Sequence, residues 1–376
     1  MSLPLHVARI DTMVLRAPIE TPVRTSFGTL YDRPAVVVRV EDDDGGVGWG
    51  EAWCNFPTCG AEHRARLIDT VLAPMIVENS WESPRHAYDR MIEGSRVLVL
   101  QTGEPGPLAQ AIAGVDMALW DLAARRAGVP MWKFLGGQDD GTVPTYASGL
   151  NPDRPEVLAR QQEARGYRAF KLKVGFGADV DVANLETLRT TFGPDVPLMI
   201  DANQAWDVET ALDMATLLAP FAPDWLEEPL PVDAPAEDWA RLAAASPVPL
   251  AGGENLRGDT AFDAAIGAGS LSVIQPDMAK WGGFSGCLPL ARRIMAGGRR
   301  YYPHYLGGGL GLIASAHLLA AAGGDGLLEV DSNPNPLREG LAAPFPTHAD
   351  GRMVLPEGPG LGVEPDPKVL ADFRVE

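Results

Sequence analysis

The sequence has few cysteines, a shortage of basic residues and no long hydrophobic run. Only three of its 376 residues are cysteines, Cys54, Cys59 and Cys287. Their spacing matches neither a zinc-binding motif nor a disulfide framework, so we expect a reducing, cytoplasmic environment. No apolar stretch approaches the roughly 18 residues that a membrane-spanning helix needs. The first residues also lack the basic and apolar segments of a secretion signal.

The shortage of basic residues limits the possible partners. Lysine and arginine total 31, against 50 aspartates and glutamates, which gives a formal net charge of -19 at pH 7. Such a charge repels nucleic acids and anionic membranes, so we expect neither as a partner. An anionic substrate would need a local cation to hold it, which is a first indication of a bound metal ion.

Length and composition indicate a soluble globular protein of more than one domain. The apolar fraction is 46% and the charged fraction is 22%, and both are typical of globular chains. A chain of 376 residues is too long for one ordinary core. Two domains, or one barrel with an appendage, are therefore expected.

The first 130 residues predict an α+β domain. Strand patterns cover 6–19, 35–40 and 47–53, and an Asp- and Gly-rich turn at 42–46 joins the last two as a hairpin. Residues 21–28 are predicted to form a loop. Helical periodicity then follows at 61–77, 82–94 and 107–126.

From residue 143 onward the pattern changes to short apolar runs that end in polar or charged residues. Alanine- and leucine-rich segments between them, such as 208–218 and 312–322, are typical of helices. Eight strands that alternate with helices predict a parallel α/β barrel. The eight predicted strands lie at 143–148, 169–173, 198–201, 225–228, 249–254, 273–277, 301–304 and 327–331.

Ionisable residues stand at the ends of seven of these strands. In an α/β barrel the carboxyl ends of all the strands surround one mouth, so we expect these side chains to share one cavity. The spacing from one to the next is between 23 and 28 residues, close to one strand and one helix. The residues are Lys171 with Lys173, Asp201, Glu227 with Glu228, Glu254, Asp277, His304 and Glu329.

The two lysines of the run FKLKV at 170–174 point to the same face of a strand. Burial and mutual repulsion should lower the pKa of Lys171 and of Lys173. A lysine of lowered pKa can take a proton near neutral pH. An edge strand with two solvated lysines would show the same pattern, and the residues downstream favour the first interpretation.

Asp201, Glu227 and Glu254 end three successive strands. Three carboxylates buried together would repel one another unless a cation lay between them. Carboxylate oxygens with open positions suit Mg²⁺ better than a softer metal. The alternative is that each acid caps the helix that follows. Glu228 adds an ambiguity, because alternation along a strand lets only one residue of the pair face the metal.

Asp277 and His304 end the next two strands. A carboxylate beside an imidazole selects its tautomer and raises its basicity, which makes a usable acid/base pair. The other histidines have no such setting and are interpreted as structural. The glycines at 307–309 are interpreted as a turn and not as a phosphate-binding loop, because no phosphate-motif lysine accompanies them.

The whole set of motifs resembles the enolase superfamily, in the mandelate racemase branch of the mandelate racemase and muconate lactonizing enzyme family. The resemblance implies a (β/α)7β barrel of the TIM type at 131–340, an α+β capping domain at 1–130 and a tail at 341–376 that completes the cap. The matching stretches are GWGE at 48–51, VDMALWD at 115–121, FKLK at 170–173, DAN at 201–203, WLEEP at 225–229, GEN at 253–255, QPD at 275–277 with GG at 282–283, PH at 303–304 and LE at 328–329.

Roles for the site residues follow from this resemblance. It implies that Asp201, Glu227 and Glu254 bind Mg²⁺, with Glu227 rather than Glu228 as the ligand. It implies that Lys173 is the base on one face of the substrate and that Lys171 assists it. His304, oriented by Asp277, would act on the other face, and Asn203 and Glu329 would lie near the substrate carboxylate. Relatives that lactonise muconate or epimerise dipeptides carry a lysine where this chain has Asp277. The family also suggests a homo-oligomer, either a dimer or an octamer.

The expected chemistry is removal of a proton α to a carboxylate through an enediolate. The leading hypothesis is a dehydratase that converts an acid sugar, or a related hydroxy acid, to a 2-keto acid. The alternative is a racemase or epimerase that uses the same residues, and a remote alternative is a non-catalytic binding protein. Specificity is expected to lie in capping loops at 18–28 and 53–62. The predicted substrate contacts beyond those above are Arg24, Trp53 and Tyr146.

Overall fold

The structure, a computed structural model, describes residues 4–25, 28–138 and 140–375. It consists of an N-terminal α+β capping domain and a C-terminal α/β barrel, so the predicted fold class is confirmed. No helix within the described residues is long and apolar enough to cross a membrane.

The capping domain is built on an antiparallel sheet of order β3-β2-β1-β4. Its strands are β1 (Leu5–Thr25), β2 (Gly28–Asp42), β3 (Val47–Ala52) and β4 (Asn79–Trp81), and its helices are α1 (Gly60–Leu67), α2 (Ala73–Ile76), α3 (Pro84–Thr102), α4 (Pro105–Ala127) and α5 (Met131–Phe134). Buried valines at alternate positions of β2, Val36, Val38 and Val40, pack in the core that the sheet forms with α4. Gly50 allows this close packing, since a Cβ there would lie 2.2 Å from the carbonyl oxygen of Gly114 in α4.

The predicted loop at 21–28 is wrong. Strand β1 continues to Thr25 and pairs with the start of β2, with Val23 opposite Leu30 and Arg24 opposite Thr29. Pairing with a second strand decides this conformation, and a prediction from local turn residues does not include such a partner. Residues 26 and 27 lie outside the described part of the chain.

All eight predicted barrel strands are present. They are β5 (Thr142–Leu150), β6 (Phe170–Lys173), β7 (Leu198–Asp201), β8 (Leu226–Glu227), β9 (Leu250–Gly252), β10 (Val273–Ile274), β11 (Arg300–Tyr301) and β12 (Leu328–Asp331). Parallel pairing runs in chain order from β5 to β11, and β12 pairs with β5. Gly326 lies against β11, because a Cβ there would stand 2.0 Å from the carbonyl oxygen of Tyr301.

Helices cover the outside of the barrel, as the alternating pattern predicted. They are α6 (Pro155–Ala164), α7 (Ala178–Phe192), α8 (Val208–Leu218), α9 (Ala236–Ala245), α10 (Asp259–Ala268), α11 (Gly283–Ala296) and α12 (Gly309–Ala322). Local capping contributes to their boundaries: Asp207 precedes α8 and accepts the N–H of Thr210 at 2.8 Å.

The barrel interior is filled in layers, since alternate residues of each strand point inward. The lower layer is apolar and buried, and it consists of Tyr146, Ala169, Met199, Trp225, Ala251, Val273 and Tyr302. For four of these floor residues, the residue two positions further along the chain is ionisable: Lys171 after Ala169, Asp201 after Met199, Glu227 after Trp225 and His304 after Tyr302. The apolar layer therefore forms the floor beneath the predicted site.

The C-terminal segment contacts both domains. After α13 (Pro336–Gly340) come β13 (His348–Ala349) and β14 (Arg352–Val354), and β14 pairs with β5 of the barrel. The chain then forms α14 (Pro367–Phe373). Near its end, the N–H of Val375 donates to the carbonyl oxygen of Val14 in β1 at 2.9 Å.

Candidate active site

The lysine pair of β6 lies among carboxylates from neighbouring strands. Lys171 is fully buried, and its Nζ donates to both carboxylate oxygens of Glu227 at 2.8 and 2.7 Å. The same Nζ is 2.7 Å from Oε1 of Glu329. Lys173 Nζ donates to Asp201 Oδ2 at 2.5 Å and to Asn203 Oδ1 at 2.7 Å. Both ammonium groups thus point into the barrel, as predicted from their spacing.

The predicted loss of basicity is wrong for this arrangement. Burial lowers the pKa of Lys171, but the charges of Glu227 and Glu329 outweigh burial, and the pKa lies well above its ordinary value. Burial lowers the pKa of Lys173 as well, and the charge of Asp201 reverses the effect, so this pKa is also raised. The prediction included burial and repulsion between the lysines, and it left out carboxylates that the fold brings in from other strands.

The three predicted metal ligands are buried at the ends of adjacent strands. Asp201 and Glu227 are each 1% exposed, and Glu254 is 6% exposed. Besides Lys171, Glu227 accepts hydrogen bonds from Trp225 Nε1 at 3.2 Å and from Gln275 Nε2 at 2.7 Å. The Glu227 carboxylate therefore lies inside the barrel.

Glu228 points to the other side of the strand. Its carboxylate accepts hydrogen bonds from Gln204 Nε2 at 2.9 Å and from Asn255 Nδ2 at 2.9 Å. It also lines a small apolar cavity of about 230 Å³ between α9 and α10, outside the barrel. The structure thus separates the two neighbouring glutamates, with Glu227 facing the barrel interior.

Asp277 and His304 form a buried hydrogen-bonded pair. Nδ1 of His304 lies 2.8 Å from Asp277 Oδ2, and Asp277 Oδ1 accepts the N–H groups of Ala279 at 2.8 Å and Lys280 at 3.1 Å. Nε2 of His304 is 2.8 Å from Glu254 Oε2. Burial lowers the pKa of His304, but Glu254 and Glu329 raise it well above its ordinary value. The carboxylates around His304 therefore favour the protonated form of its imidazole.

Lys280 is a charged residue of the site that the sequence analysis missed. It is 6% exposed, and its Nζ lies 2.9 Å from Glu254 Oε1 and 4.9 Å from the ring centroid of Trp53. Such a position over an indole is a cation–π contact. The available signal was a lysine three residues after Asp277, between two stretches already matched to the family.

The predicted substrate contacts fall in different places. Trp53 reaches the barrel from the capping domain through its contact with Lys280, and Glu329 accepts the Ser148 hydroxyl beside Lys171. Tyr146 lies in the apolar floor beneath Lys171, fully buried, so its position does not support a substrate contact. The Arg24 side chain lies outside the described residues.

The donor set fits a hard divalent cation, although the carboxylates here bond basic groups. Within the described residues, no three acidic, imidazole or thiol groups form a metal-ligand cluster. The connected cluster, which reaches Glu228 on the outer side of the strand through Asn255, nevertheless holds two more carboxylates than basic groups, a surplus that one divalent cation would balance. Its carboxylates are Asp201, Glu227, Glu228, Glu254, Asp277 and Glu329, and its basic groups are Lys171, Lys173, Lys280 and His304.

The pKa values of two carboxyl groups reflect this surplus. Burial, with the charge of Asp201, raises the pKa of Glu227 to about 7 even though Lys171 opposes the shift. Burial, with the charge of Glu254, raises the pKa of Glu228 to about 8. Carboxyl groups that hold protons near neutral pH indicate a site short of positive charge.

This fold and site define an α/β-barrel enzyme with a separate capping domain, and comparisons with known proteins identify its family. The family model of the mandelate racemase / muconate lactonizing enzyme N-terminal domain matches residues 9–136. The model described as enolase C-terminal domain-like matches residues 155–369. The chain therefore belongs to the enolase superfamily, in the mandelate racemase and muconate lactonizing enzyme family, and the predicted resemblance is confirmed.

Proteins similar to this chain include enzymes that act on acid sugars. The chain is 31% identical to D-galactarolactone cycloisomerase of Agrobacterium fabrum, over 99% of each chain. It is 29% identical to arabinonate dehydratase of Saccharolobus solfataricus, over 90% of each chain. The chain is accordingly an enzyme of this superfamily, with dehydratases and cycloisomerases among its relatives.

Two solved structures superpose closely on the whole chain. A mandelate racemase/muconate lactonizing enzyme from Bordetella bronchiseptica RB50 has a TM-score of 0.92 and 55% identity, covering 98% of this chain and 99% of its own. A racemase from Streptomyces coelicolor A3(2) with bound magnesium has a TM-score of 0.89 and 31% identity, covering 98% of this chain and 100% of its own.

Proposed function

We propose that this enzyme removes the proton α to a carboxylate and eliminates a β-hydroxyl as water, converting an acid sugar to a 2-keto acid. The observation that carries the proposal concerns a row of three carboxylates at the ends of adjacent strands, Asp201, Glu227 and Glu254. A basic side chain lies at each end of this row. Lys173 bonds Asp201 at one end of the row, and His304 bonds Glu254 at the other. A substrate held along the row would present one face to each of them.

Lys173 is the proposed base. Its side chain is 19% exposed, whereas that of Lys171 is 1% exposed, so Lys173 is the lysine that a substrate could reach. Lys171, held between Glu227 and Glu329, would serve as a fixed positive charge for the substrate carboxylate. The charge that raises the pKa of Lys173 belongs to Asp201, a proposed metal ligand. Sharing that carboxylate with a cation would bring the pKa back down toward the range in which an amine can act as a base.

His304 is the proposed acid. Its Nδ1 is held by Asp277, which leaves Nε2 as the atom that can give a proton to the departing hydroxyl. Hydroxide is a poor leaving group, so elimination needs a protonated acid at this position. The α C–H bond breaks, its electron pair forms a double bond to the β-carbon, and the C–O bond breaks to release water. The resulting enol then becomes the 2-keto acid.

Asp201, Glu227 and Glu254 are proposed to hold Mg²⁺. When bound, Mg²⁺ stabilises the negative charge that develops on the substrate carboxylate as the α-proton leaves. The surplus of carboxylates in the cluster supports this proposal, and so does the bound magnesium of the Streptomyces racemase. Asn203, hydrogen-bonded to Lys173, and Glu329 are proposed to contact the substrate carboxylate.

A cycloisomerase activity is the second candidate, and the similarity to D-galactarolactone cycloisomerase favours it. Lys173 and His304 would have the same roles, with a ring oxygen as the leaving group. Elimination would then open the ring, and all atoms would stay in one product. A substrate without a leaving group would instead receive a proton from His304 on the opposite face, which is racemisation.

A substrate screen in D₂O tests this proposal. The acids are galactarate, D-galactonate, arabinonate, D-galactarolactone and 3,6-anhydro-L-galactonate, with mandelate as an acid that has no β-leaving group. Each is incubated with enzyme and Mg²⁺ and followed by NMR and by a keto-acid assay. Keto acid from an open-chain sugar acid supports dehydration, and keto acid from a ring substrate alone supports the cycloisomerase. Deuteration with inversion at the α-carbon and no keto acid would contradict both.

A further inference from the structure

Two buried carboxylates of the capping domain reach the barrel, and the proposed reaction does not use them. Glu51, in the GWGE stretch of β3, is 2% exposed. Its carboxylate accepts the backbone N–H of Gly308 at 2.5 Å and that of Gly311 at 3.1 Å. Both donors lie at the N-terminus of α12, where the helix dipole favours a negative charge.

Asp116, in α4, makes the equivalent contact with the preceding barrel helix. It is fully buried and accepts the backbone N–H of Ser285 at 3.0 Å and its hydroxyl at 2.6 Å, at the N-terminus of α11. Gly283 leaves space for this carboxylate, because a Cβ there would lie 2.2 Å from Asp116 Oδ2. The GWGE and VDMALWD stretches therefore each supply one carboxylate to one barrel helix.

These two helices follow the strands that lead to Asp277 and His304. We propose that Glu51 and Asp116 are positioning residues, which hold α12 and α11 so that His304 and Asp277 keep their mutual alignment. The capping domain would then position Asp277 and His304, which together form the acid half of the site. This inference rests on the proposed function only in giving His304 the role of acid.

Short paths connect the two helix ends to the pair. Tyr305 follows His304, its hydroxyl donates to Glu51, and its backbone N–H donates to Glu329 Oε2 at 3.3 Å. On the other side, Asp277 accepts N–H groups from the turn that leads into α11. A shift of either helix end would therefore move one member of the pair.

The base half of the site, Lys171 and Lys173 on β6, is held by contacts within the barrel and, among the described residues, not by the capping domain. The turn after β6 is fixed within the barrel, where Asp181 accepts the N–H of Gly175 at 2.9 Å and that of Phe176 at 3.3 Å. Loss of the contacts made by Glu51 should thus disturb His304 while leaving Lys173 in place. This asymmetry separates a positioning role from a general contribution to folding.

The first test is a partition experiment on Glu51→Gln, run with the acid that the wild type turns over in the substrate screen. A glutamine amide would direct its own N–H group at one of the two helix N–H groups, so one contact would be lost. In D₂O, the enediolate either loses its hydroxyl through His304 or takes deuterium back from Lys173. The ratio of α-deuterated substrate to keto acid does not depend on how much of the enzyme is folded.

We expect this ratio to rise about tenfold or more in Glu51→Gln. A tenfold rise corresponds to a loss of about 1.4 kcal/mol of transition-state stabilisation at the step in which His304 protonates the leaving hydroxyl. Asp116→Asn should raise it less, because the Ser285 hydroxyl can rotate to donate to the remaining oxygen. The matched control is Asp121→Asn. Asp121 is equally buried in α4, but it accepts the N–H groups of Trp49 and Leu361, which lie outside α11 and α12. The ratio measured for Asp121→Asn should therefore stay at the wild-type value.

A ratio within about twofold of wild type in both Glu51→Gln and Asp116→Asn would overturn the inference, as would an equal rise in the control. If Glu51→Gln does not fold, Tyr305→Phe takes its place, since it removes only the hydroxyl that donates to Glu51. The expected direction is the same, and an unchanged ratio would again overturn the inference.

The second test needs no substrate. In a crystal structure of Glu51→Gln, the distance of 2.8 Å between His304 Nδ1 and Asp277 Oδ2 should lengthen beyond hydrogen-bonding range, while Lys173 stays on Asp201. An unmoved pair would overturn the inference. If the wild type turns over no acid, the proposed function fails and this structure alone decides the positioning role.

Discussion

Removing Arg33 should destabilise the protein strongly, because Arg33 forms a buried ion pair across the two domains. Arg33, in β2, donates to Asp331 in β12, and their side chains are only 2% and 4% exposed. The variant Arg33→Met keeps most of the side-chain volume and removes the charge. It leaves the buried carboxylate of Asp331 without its ion pair to Arg33, although the charge of Arg338 remains nearby.

The expected cost follows from the burial of this pair. Breaking a buried ion pair by removing one partner costs about 3–5 kcal/mol. Asp331 keeps hydrogen bonds from the N–H of Asn333 at 3.0 Å and from its Nδ2 at 2.9 Å, so we expect the lower end of this range. Adding Asp331→Asn removes the uncompensated charge, and the double variant should be more stable than Arg33→Met by about 1–2 kcal/mol.

The matched control is an exposed ion pair of the same kind. Arg241 bonds Glu209 at 2.6 Å, with side chains that are 53% and 69% exposed. Arg241→Met should therefore change the free energy of unfolding by at most about 1 kcal/mol. Urea unfolding followed by tryptophan fluorescence measures both variants against the wild type.

The pH dependence gives a second check on the same variant. Burial raises the pKa of Asp331, but Arg33 and Arg338 outweigh it, so the pKa is lowered in the folded protein. A lowered carboxyl pKa contributes stability above the unfolded pKa, and that stability is lost as the pH falls through the folded pKa. The deficit of Arg33→Met should therefore keep its full size at pH 7 and shrink as the pH falls below about 4, toward the lowered folded pKa of Asp331. A deficit that matches Arg241→Met, or that does not change with pH, would refute the reasoning.

Three further predictions concern the site. Lys173→Ala and His304→Asn should each lower keto-acid formation by about 10²–10⁴-fold, with unchanged circular dichroism, and wild-type turnover in either would contradict its role. Glu227→Gln should abolish Mg²⁺ binding in calorimetry, whereas Glu228→Gln, on the outer side of the strand, should retain it. Lys280→Met should lose about 3 kcal/mol of stability in EDTA, because its carboxylate partner stays buried. Saturating Mg²⁺ should restore most of that loss, and no restoration would argue against that carboxylate as a ligand.

The barrel and the strand ends were predictable from local patterns. Each unit of strand and helix repeats a short apolar run followed by a polar residue, and parallel strands bring their carboxyl ends to one mouth. That is why Asp201, Glu254 and His304 could be placed together without any contact being known. Alternation along β8 also defined the choice between Glu227 and Glu228. The family resemblance favoured Glu227, and the structure shows that Glu227 faces inward.

The errors arose where a distant part of the chain decides the outcome. The segment at 21–25 forms a strand because it pairs with the start of β2. The charge of Lys173 is set by Asp201, which belongs to the next strand. Tyr146 was predicted to contact the substrate, and its place in the barrel floor depends on how the interior layers stack. None of these environments can be deduced from neighbours in the sequence.

By itself, the sequence determined the order of the elements, the ionisable residue at each strand end and the family to which the chain belongs. These properties follow from apolar periodicity and from motifs a few residues long. Only the tertiary structure decided which charges compensate one another, how Lys280 and Trp53 join the site, and how Glu51 reaches the helix after His304. Each of those depends on burial and on contacts between residues far apart in the chain, and folding alone brings them within bonding distance.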